Sequence, residues 1–155
     1  KSKTSYLLNK IIYLPQNNFI PNSFSIKKTI QLAIAKEKLQ DFYADEMIQS
    51  MLNKKIKHLS GGELRYLEIK LILNNASKFV LLDEPYNGLS PIMIEKINKL
   101  ITTMSSVKGI IITDHNYENV IKVSTKLALM KEGKMHHLKD TNELVEKGYL
   151  RSGMI

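Results

Sequence analysis

Apolar residues fall first in a short run, then at helical intervals, and finally in short runs that alternate with helical stretches. The run Ile11 to Leu14, stopped by Pro15, predicts a strand that ends at "PQNN". Residues 27 to 54 carry helical spacing in two segments, "KKTIQLAIAKEKL" and "DFYADEMIQSMLNK", with Asp41 placed to cap the second. A third helix is predicted from Gly62 to about Leu73. Leu64, Leu67 and Leu71 share one of its faces, and Ile69, Ile72 and Leu73 widen the apolar surface.

Beyond residue 78 the pattern changes. "FVLL", Phe79 to Leu82, is a compact run of the kind that parallel sheets bury on both faces. Met93, Ile97, Leu100, Ile101 and Met104 follow at helical intervals. "GIIIT", Gly109 to Thr113, predicts a second buried strand, and "KLALM", Lys126 to Met130, a third. "EG" at 132–133 turns the chain into a shorter polar strand, "KMHHL", and a last helix is predicted near Thr141 to Lys147. Strand, helix, strand, helix, strand means an α/β layer of parallel strands with right-handed crossovers, interrupted by the helical stretch at 27 to 73 as a subdomain.

Composition narrows the class without naming a function. A hydrophobic share of 43% and a charged share of 25% are those of an ordinary globular domain, and 155 residues suffice for one core plus a small insert. No stretch approaches the apolar length of a membrane span, and the lack of cysteine excludes disulfides and thiolate metal sites. The balance of 23 basic against 15 acidic residues gives +8, but the lysines are scattered, with one modest cluster at Lys54, Lys55 and Lys57. That distribution reads as a solvated basic surface, and nucleic acid is not an expected partner. The chain opens on Lys1 without a signal peptide, so it is expected to be an excised piece of something longer.

Candidate chemistry collects where two strands end. "FVLL" runs into Asp83, Glu84 and Pro85, and "IIIT" runs into Asp114 and His115. Ligands of open parallel sheets bind beyond the carboxyl ends of the strands, so adjacent strands would bring Asp83, Glu84 and His115 to one rim. A carboxylate there suits a Mg²⁺–phosphate site, and a second can orient and deprotonate an attacking water. A nearby histidine can hydrogen-bond a terminal phosphate. A different feature lies at "KHLSGGELRYLEI", residues 57 to 69. Ser60 followed three residues later by Glu63 is a capping box, whereas Gly61 and Gly62 expose bare amides and a positive dipole end to an anion such as phosphate. Both readings stand at this point.

In order along the chain, "YLPQ" (13–16), "LSGGE" (59–63), "FVLLDEP" (79–85), "NGLSP" (87–91) and "IITDHN" (111–116) resemble the nucleotide-binding domain of the ATP-binding cassette (ABC) transporter ATPases. The likeness spans nearly the whole chain, and its wording is nearest to the lipopolysaccharide-export and branched-chain amino-acid branch. It implies a P-loop NTPase-like α/β fold, its parallel sheet partial and carrying an inserted α-helical subdomain. The implied segments are 1–26 with the first strand and glutamine loop, 27–74 as the helical subdomain, and 75–155 as the RecA-like core.

The resemblance also implies roles. Gln16 would be the loop glutamine that senses Mg²⁺ and water, and Ser60, Gly61, Gly62 and Glu63 the signature motif that meets ATP held by the opposite subunit. Asp83 would serve Mg²⁺, Glu84 would be the general base, and His115 the switch histidine. ATP and Mg²⁺ would be the cofactors, a second nucleotide-binding domain the head-to-tail partner, and a transmembrane permease the partner of the helical subdomain and glutamine loop. The implied location is cytoplasmic, peripheral on the inner face of the cell membrane.

Departures from the family pattern temper these roles. No G-x-x-x-x-G-K-[ST] loop occurs among the seven glycines. The chain is therefore expected to begin after that loop and, alone, neither to bind ATP tightly nor to hydrolyse it. Ser90 replaces a usual aspartate, keeping the capacity to cap the next helix ahead of Pro91 but not the charge. Tyr66 replaces a frequent arginine and Lys70 a frequent alanine. Two alternatives remain: an ABC ATPase acting on DNA or ribosomes, and a non-hydrolysing ABC partner.

Overall fold

The computed structural model describes residues 10–151. The outer ends of the implied 1–26 and 75–155 segments, residues 1–9 and 152–155, lie outside the described residues. The chain divides into two compact units, the first ending at Asn116 and the second beginning at Tyr117.

The first unit is built on three parallel strands, β1 (Ile11–Leu14), β2 (Phe79–Asp83) and β3 (Gly109–Thr113), in the order β1-β2-β3. Parallel neighbours need long crossovers. Four helices fill the first: α1 (Ile26–Ala33), α2 (Leu39–Tyr43), α3 (Glu46–Met51) and α4 (Gly61–Asn74). A single helix, α5 (Pro91–Ser105), fills the second. Leu14 stands opposite Leu82, and Leu82 opposite Ile112, so the strands are level where they end.

Burial corrects one expectation. Helix α4 packs on β1, β2 and α5, and α5 also packs on β3, so both helices cover the sheet face that carries Leu14, Val80 and Leu82. The alternate positions Ile11, Tyr13, Phe79 and Ile111 are exposed. The apolar runs are therefore covered on one face among the described residues, not on both. Helix α4 departs in the opposite direction: rather than one apolar face, it is buried continuously from Leu64 to Leu73, because sheet and helices surround it.

The predicted pair of helices over 27–54 resolves into shorter pieces. A turn of 3-10 helix at Lys36–Lys38 separates α1 from α2, and Asp45, extended at φ −69° and ψ 122°, starts α3 by accepting the Ile48 amide. Asp41 lies inside α2 and is not the cap. Asp45 also explains two departures from the family pattern. Its Oδ2 accepts both the Tyr66 hydroxyl at 2.7 Å and Lys70 Nζ at 2.6 Å, and Lys70 sits 5.1 Å from the Phe42 ring centroid. Tyr66 and Lys70 thus act as a pair that ties α2 and α3 to α4. Burial works to raise the Asp45 carboxyl, but the bonds from Lys70, Tyr66 and the Ile48 amide outweigh it and hold the group below its usual range.

The second unit holds α6 (Tyr117–Val123), β4 (Leu127–Lys131), β5 (Lys134–Leu138) and α7 (Asn142–Glu146). Here the third predicted strand joins no parallel sheet, and only Leu129 of its residues is buried; β4 pairs antiparallel with β5. Glu132 and Gly133 both take positive φ, 51° and 72°, the geometry that folds flanking strands directly onto each other. Leu129, Leu144 and Leu150 form this unit's small core, with Tyr117, Ile121, Leu138 and Val145 packed around it.

Removing the Asp45 carboxylate leaves Lys70 nearly buried without its partner. Asp45→Ala is expected to cost about 2–4 kcal/mol of unfolding free energy, read from denaturant melts. Because the folded value lies below the unfolded one, the Asp45 contribution is present above about pH 4 and is lost as pH falls through the folded value. Asp45→Asn should therefore flatten the acid limb of stability against pH; an unchanged limb would refute the role.

Candidate active site

The level strand ends set the geometry. Gln16 lies two residues past Leu14, Glu84 two past Leu82, and His115 three past Ile112, so all three leave the sheet along one edge. Their side chains converge. Gln16 Nε2 donates to Glu84 Oε2 at 2.7 Å, and Glu84 Oε1 faces His115 Nδ1 at 4.0 Å. That second gap is too long for a hydrogen bond, yet a single water can reach both atoms. His115 is largely exposed, so the edge is open to a ligand.

Glu84 has an unusual backbone. Its φ of 44° lies in the left-handed region, which a side-chain-bearing residue enters at a cost of about 1–3 kcal/mol unless neighbours enforce it. The neighbours do enforce it: the Glu84 amide donates to Thr113 O at 2.7 Å, and its carbonyl accepts Arg65 Nη2 at 3.1 Å. The turn aims the carboxylate away from β2 and towards Gln16 and His115.

Asp83 is the last residue of β2 and stands opposite Thr113. Its Oδ2 accepts the Tyr13 hydroxyl at 2.6 Å and its Oδ1 the Thr113 hydroxyl at 2.7 Å. Those two bonds, Tyr13 first, hold the carboxyl below its usual range and keep it ionised. Each oxygen retains a further lone pair, so the fixed carboxylate can still meet a hard cation. With the Gln16 amide oxygen it supplies oxygen donors of the type Mg²⁺ takes alongside waters and phosphate oxygens. The residues present fit that ion.

Ser60 to Glu63 form a separate group at the start of α4. The capping box is complete: the Glu63 amide donates to Ser60 Oγ at 3.2 Å, and the Ser60 amide donates to Glu63 Oε2 at 2.8 Å. Lys54 adds a bond to Glu63 Oε1 at 3.0 Å, and the Ser60 amide and Lys54 together draw the Glu63 carboxyl below its usual range. A Cβ on Gly61 would meet only open space, while one on Gly62 would touch Met93 at 3.4 Å. Both residues carry first-turn amides that helix geometry leaves without a carbonyl, Gly61 on an open side and Gly62 half-buried beside Met93 and Leu89. Ser90 is the N-cap of α5 ahead of Pro91, but its side chain makes no capping bond; only its carbonyl accepts Met93 and Ile94.

The motifs gave no role to Tyr13, Thr113 or Arg65, and placed Asp114 at a strand end beside His115 without a task of its own. Arg65 and Glu68 carry the one signal that could have found them, two opposite charges one turn apart within the apolar stretch of α4. Tyr13 and Thr113 show only in the strand register, which pairs Asp83 with Thr113 and Leu81 with Tyr13.

Comparison with known proteins bears on this arrangement. Residues 2–87 match the family model for the ABC transporter. The chain is 28% identical over 149 residues to the lipopolysaccharide export system ATP-binding protein LptB of Acidithiobacillus ferridurans, covering 90% of this chain and 62% of that protein. It is 33% identical to the phosphate import ATP-binding protein PstB of Thermotoga maritima, covering 83% of this chain and 52% of the relative. The chain thus spans less than two thirds of these relatives. A solved structure of an ATP-binding subunit of an ABC transporter superposes with a TM-score of 0.75 at 14% identity, covering 97% of this chain and 67% of that one. The RNase-L Inhibitor superposes at 0.70 and 22% identity, over 88% of this chain and 30% of the other. At those identities the shared property is the fold: an α/β, P-loop NTPase-type parallel sheet, here partial, with helices inserted between β1 and β2.

The strained turn makes a stability prediction that needs no ligand. Glu84→Gly and Glu84→Ala both delete the carboxylate, but only glycine adopts φ 44° freely. Glu84→Gly is expected to be the more stable of the two by about 1 kcal/mol in denaturant unfolding. An alanine variant as stable as the glycine variant would show that the turn carries no strain.

Proposed function

The chain belongs to the ABC transporter family, and from that membership we propose that it is a portion, including the glutamine loop, of an ATP-binding subunit whose ATP hydrolysis drives a membrane permease. The observation that carries this reading is the meeting of Gln16, Glu84 and His115 at the level ends of three parallel strands. In the proposed reaction Glu84 orients a water and takes its proton as the water oxygen bonds to the γ-phosphorus and the β–γ bridging bond breaks. His115 donates a hydrogen bond to the γ-phosphate. Asp83 and Gln16 would hold Mg²⁺, which neutralises phosphate charge when bound. Most of the rate enhancement is then orientation and electrostatics rather than covalent chemistry.

The first-turn amides of Gly61 and Gly62, with the Ser60 hydroxyl, would meet the γ-phosphate held by a second nucleotide-binding domain in a head-to-tail pair. The helix dipole and first-turn donors favour an anion there, and the capping box is compatible with that contact. Residues 27–74 would be the helical subdomain that, with the Gln16 loop, contacts the permease, and 75–155 the core. The subunit would then lie on the inner face of the membrane. Among the described residues no helix is long and apolar enough to cross it.

A role on ribosomes or DNA receives less support. The relatives in the 28–33% range are named as transport ATP-binding proteins, whereas the likeness to the structure of an archaeal ribosome recycling factor, at 20% identity, is one of fold.

The test uses two proteins. A longer protein that supplies the phosphate loop upstream of Gln16 should hydrolyse Mg·ATP, and Glu84→Gln should lower its kcat by about 10²–10⁴-fold. The 155-residue chain alone should show no turnover, since this sequence contains no phosphate loop. Turnover by the short chain that Glu84→Gln abolishes, or full turnover by the longer Glu84→Gln protein, would contradict the proposal.

A further inference from the structure

We infer that Arg65, supported by Asp114, is a positioning residue that fixes where Gln16 and Glu84 stand at the strand ends. Arg65 is 5% exposed, inside the buried stretch of α4. Its guanidinium touches backbone from two different strands. Nη1 donates to Pro15 O at 2.8 Å, directly before Gln16, and Nη2 donates to Asp83 O at 2.8 Å and Glu84 O at 3.1 Å. One rigid planar fork therefore sets the spacing between the loop after β1 and the turn after β2, a span that a lysine ammonium, acting as a point donor, cannot cover.

The residues around this fork serve the same end. Glu68, one turn along α4 and fully buried, accepts the Phe19 amide at 2.9 Å, and its other oxygen lies 3.6 Å from Arg65 Nη1. Arg65 and Glu68 thus grip residues 15 and 19, and Gln16 sits between the two holds. Asp114, with its side chain fully buried, accepts the Tyr86 amide at 3.0 Å through Oδ2 and the Asn116 amide at 2.8 Å through Oδ1. It pins the chain two residues beyond Glu84 and one beyond His115. Burial draws the Arg65 guanidinium below its usual value, and the Glu68, Asp83 and Asp114 carboxylates oppose that shift.

Packing alone does not call for this arrangement. An apolar side chain would fill the same volume without the desolvation cost of a buried charge. What the charges add is direction: three carbonyls and two amides are held around a residue at φ 44°, a conformation that persists only when its surroundings over-determine it.

The consequence for catalysis rests on the reading of Glu84 as the base, but the placement can be tested without nucleotide. In the ¹⁵N-labelled 155-residue chain, the Gln16 side-chain amide signals are identified by their loss in Gln16→Ala, and Glu84→Ala shows where they move when their acceptor is gone. Arg65→Lys and Arg65→Met should carry those signals to the Glu84→Ala position while the core methyl signals stay dispersed. Asp114→Asn should shift the Tyr86 and Asn116 backbone amides and move the Gln16 signals in the same direction. In the longer protein, Arg65→Lys should lower kcat roughly 10-fold to 100-fold with KM for ATP nearly unchanged, the pattern of a misplaced base. Gln16 signals that keep their wild-type position in folded Arg65→Lys would overturn the inference. If the signals move as expected but the longer protein shows no Glu84-dependent hydrolysis, the placement stands and the catalytic reading falls.

Discussion

Everything at the proposed site depends on three parallel strands ending level with one another. The register sets Leu14 against Leu82 and Leu82 against Ile112, so an amide, a carboxylate and an imidazole from distant parts of the sequence leave the sheet at one edge. A slip of one residue would turn side chains to the opposite face, separating Gln16 from Glu84 if it fell between β1 and β2, and Glu84 from His115 if it fell between β2 and β3. Among the described residues the hydrophobic effect secures that register from one side, through Leu14, Val80 and Leu82 beneath α4 and α5.

Level strands bring backbones together, but they do not aim side chains. Aiming falls mostly to buried polar groups on α4 and just beyond β3, joined by two exposed hydroxyls on β1 and β3. Arg65 and Glu68 hold the loop around Gln16, Asp114 holds the chain after Glu84, and Tyr13 with Thr113 orient Asp83. Further along α4, Tyr66 and Lys70 meet on Asp45 and fasten α2 and α3. One helix thus connects the glycine-flanked entrance at Ser60, the strand ends and the small helices, which is why it carries charge despite being buried throughout.

Periodicity and motifs made much of this legible from the sequence. The limits of β1, β3 and α4 lie within a residue or so of where the apolar spacing and Ser60 put them, and β2 extends one residue to include Asp83. The approach of Glu84 to His115 follows from the rule for open parallel sheets, while the Asp83 carboxylate turns to Tyr13 and Thr113. What the sequence concealed was tertiary. Nothing local says that Asp45 rather than Asp41 caps α3, because Asp45 is chosen by Tyr66 and Lys70 some twenty residues away. The hairpin at Glu132–Gly133 was legible, but the run "KLALM" has the composition of a core strand and nothing in it tells that only Leu129 is buried. Exposure of Ile11, Tyr13, Phe79 and Ile111 was equally invisible, since an apolar run gives no sign of which face is covered.

The most direct test of the central claim is a crystal structure of the longer protein carrying Glu84→Gln, grown with Mg·ATP. The account predicts the γ-phosphate within hydrogen-bond distance of His115, with Gln16 and the substituted side chain bracketing a water in line with it, and Ser60 with Gly61 of the paired subunit closing the far side. A nucleotide bound away from the ends of β1, β2 and β3, with His115 and residue 84 making no approach to its phosphates, would contradict it.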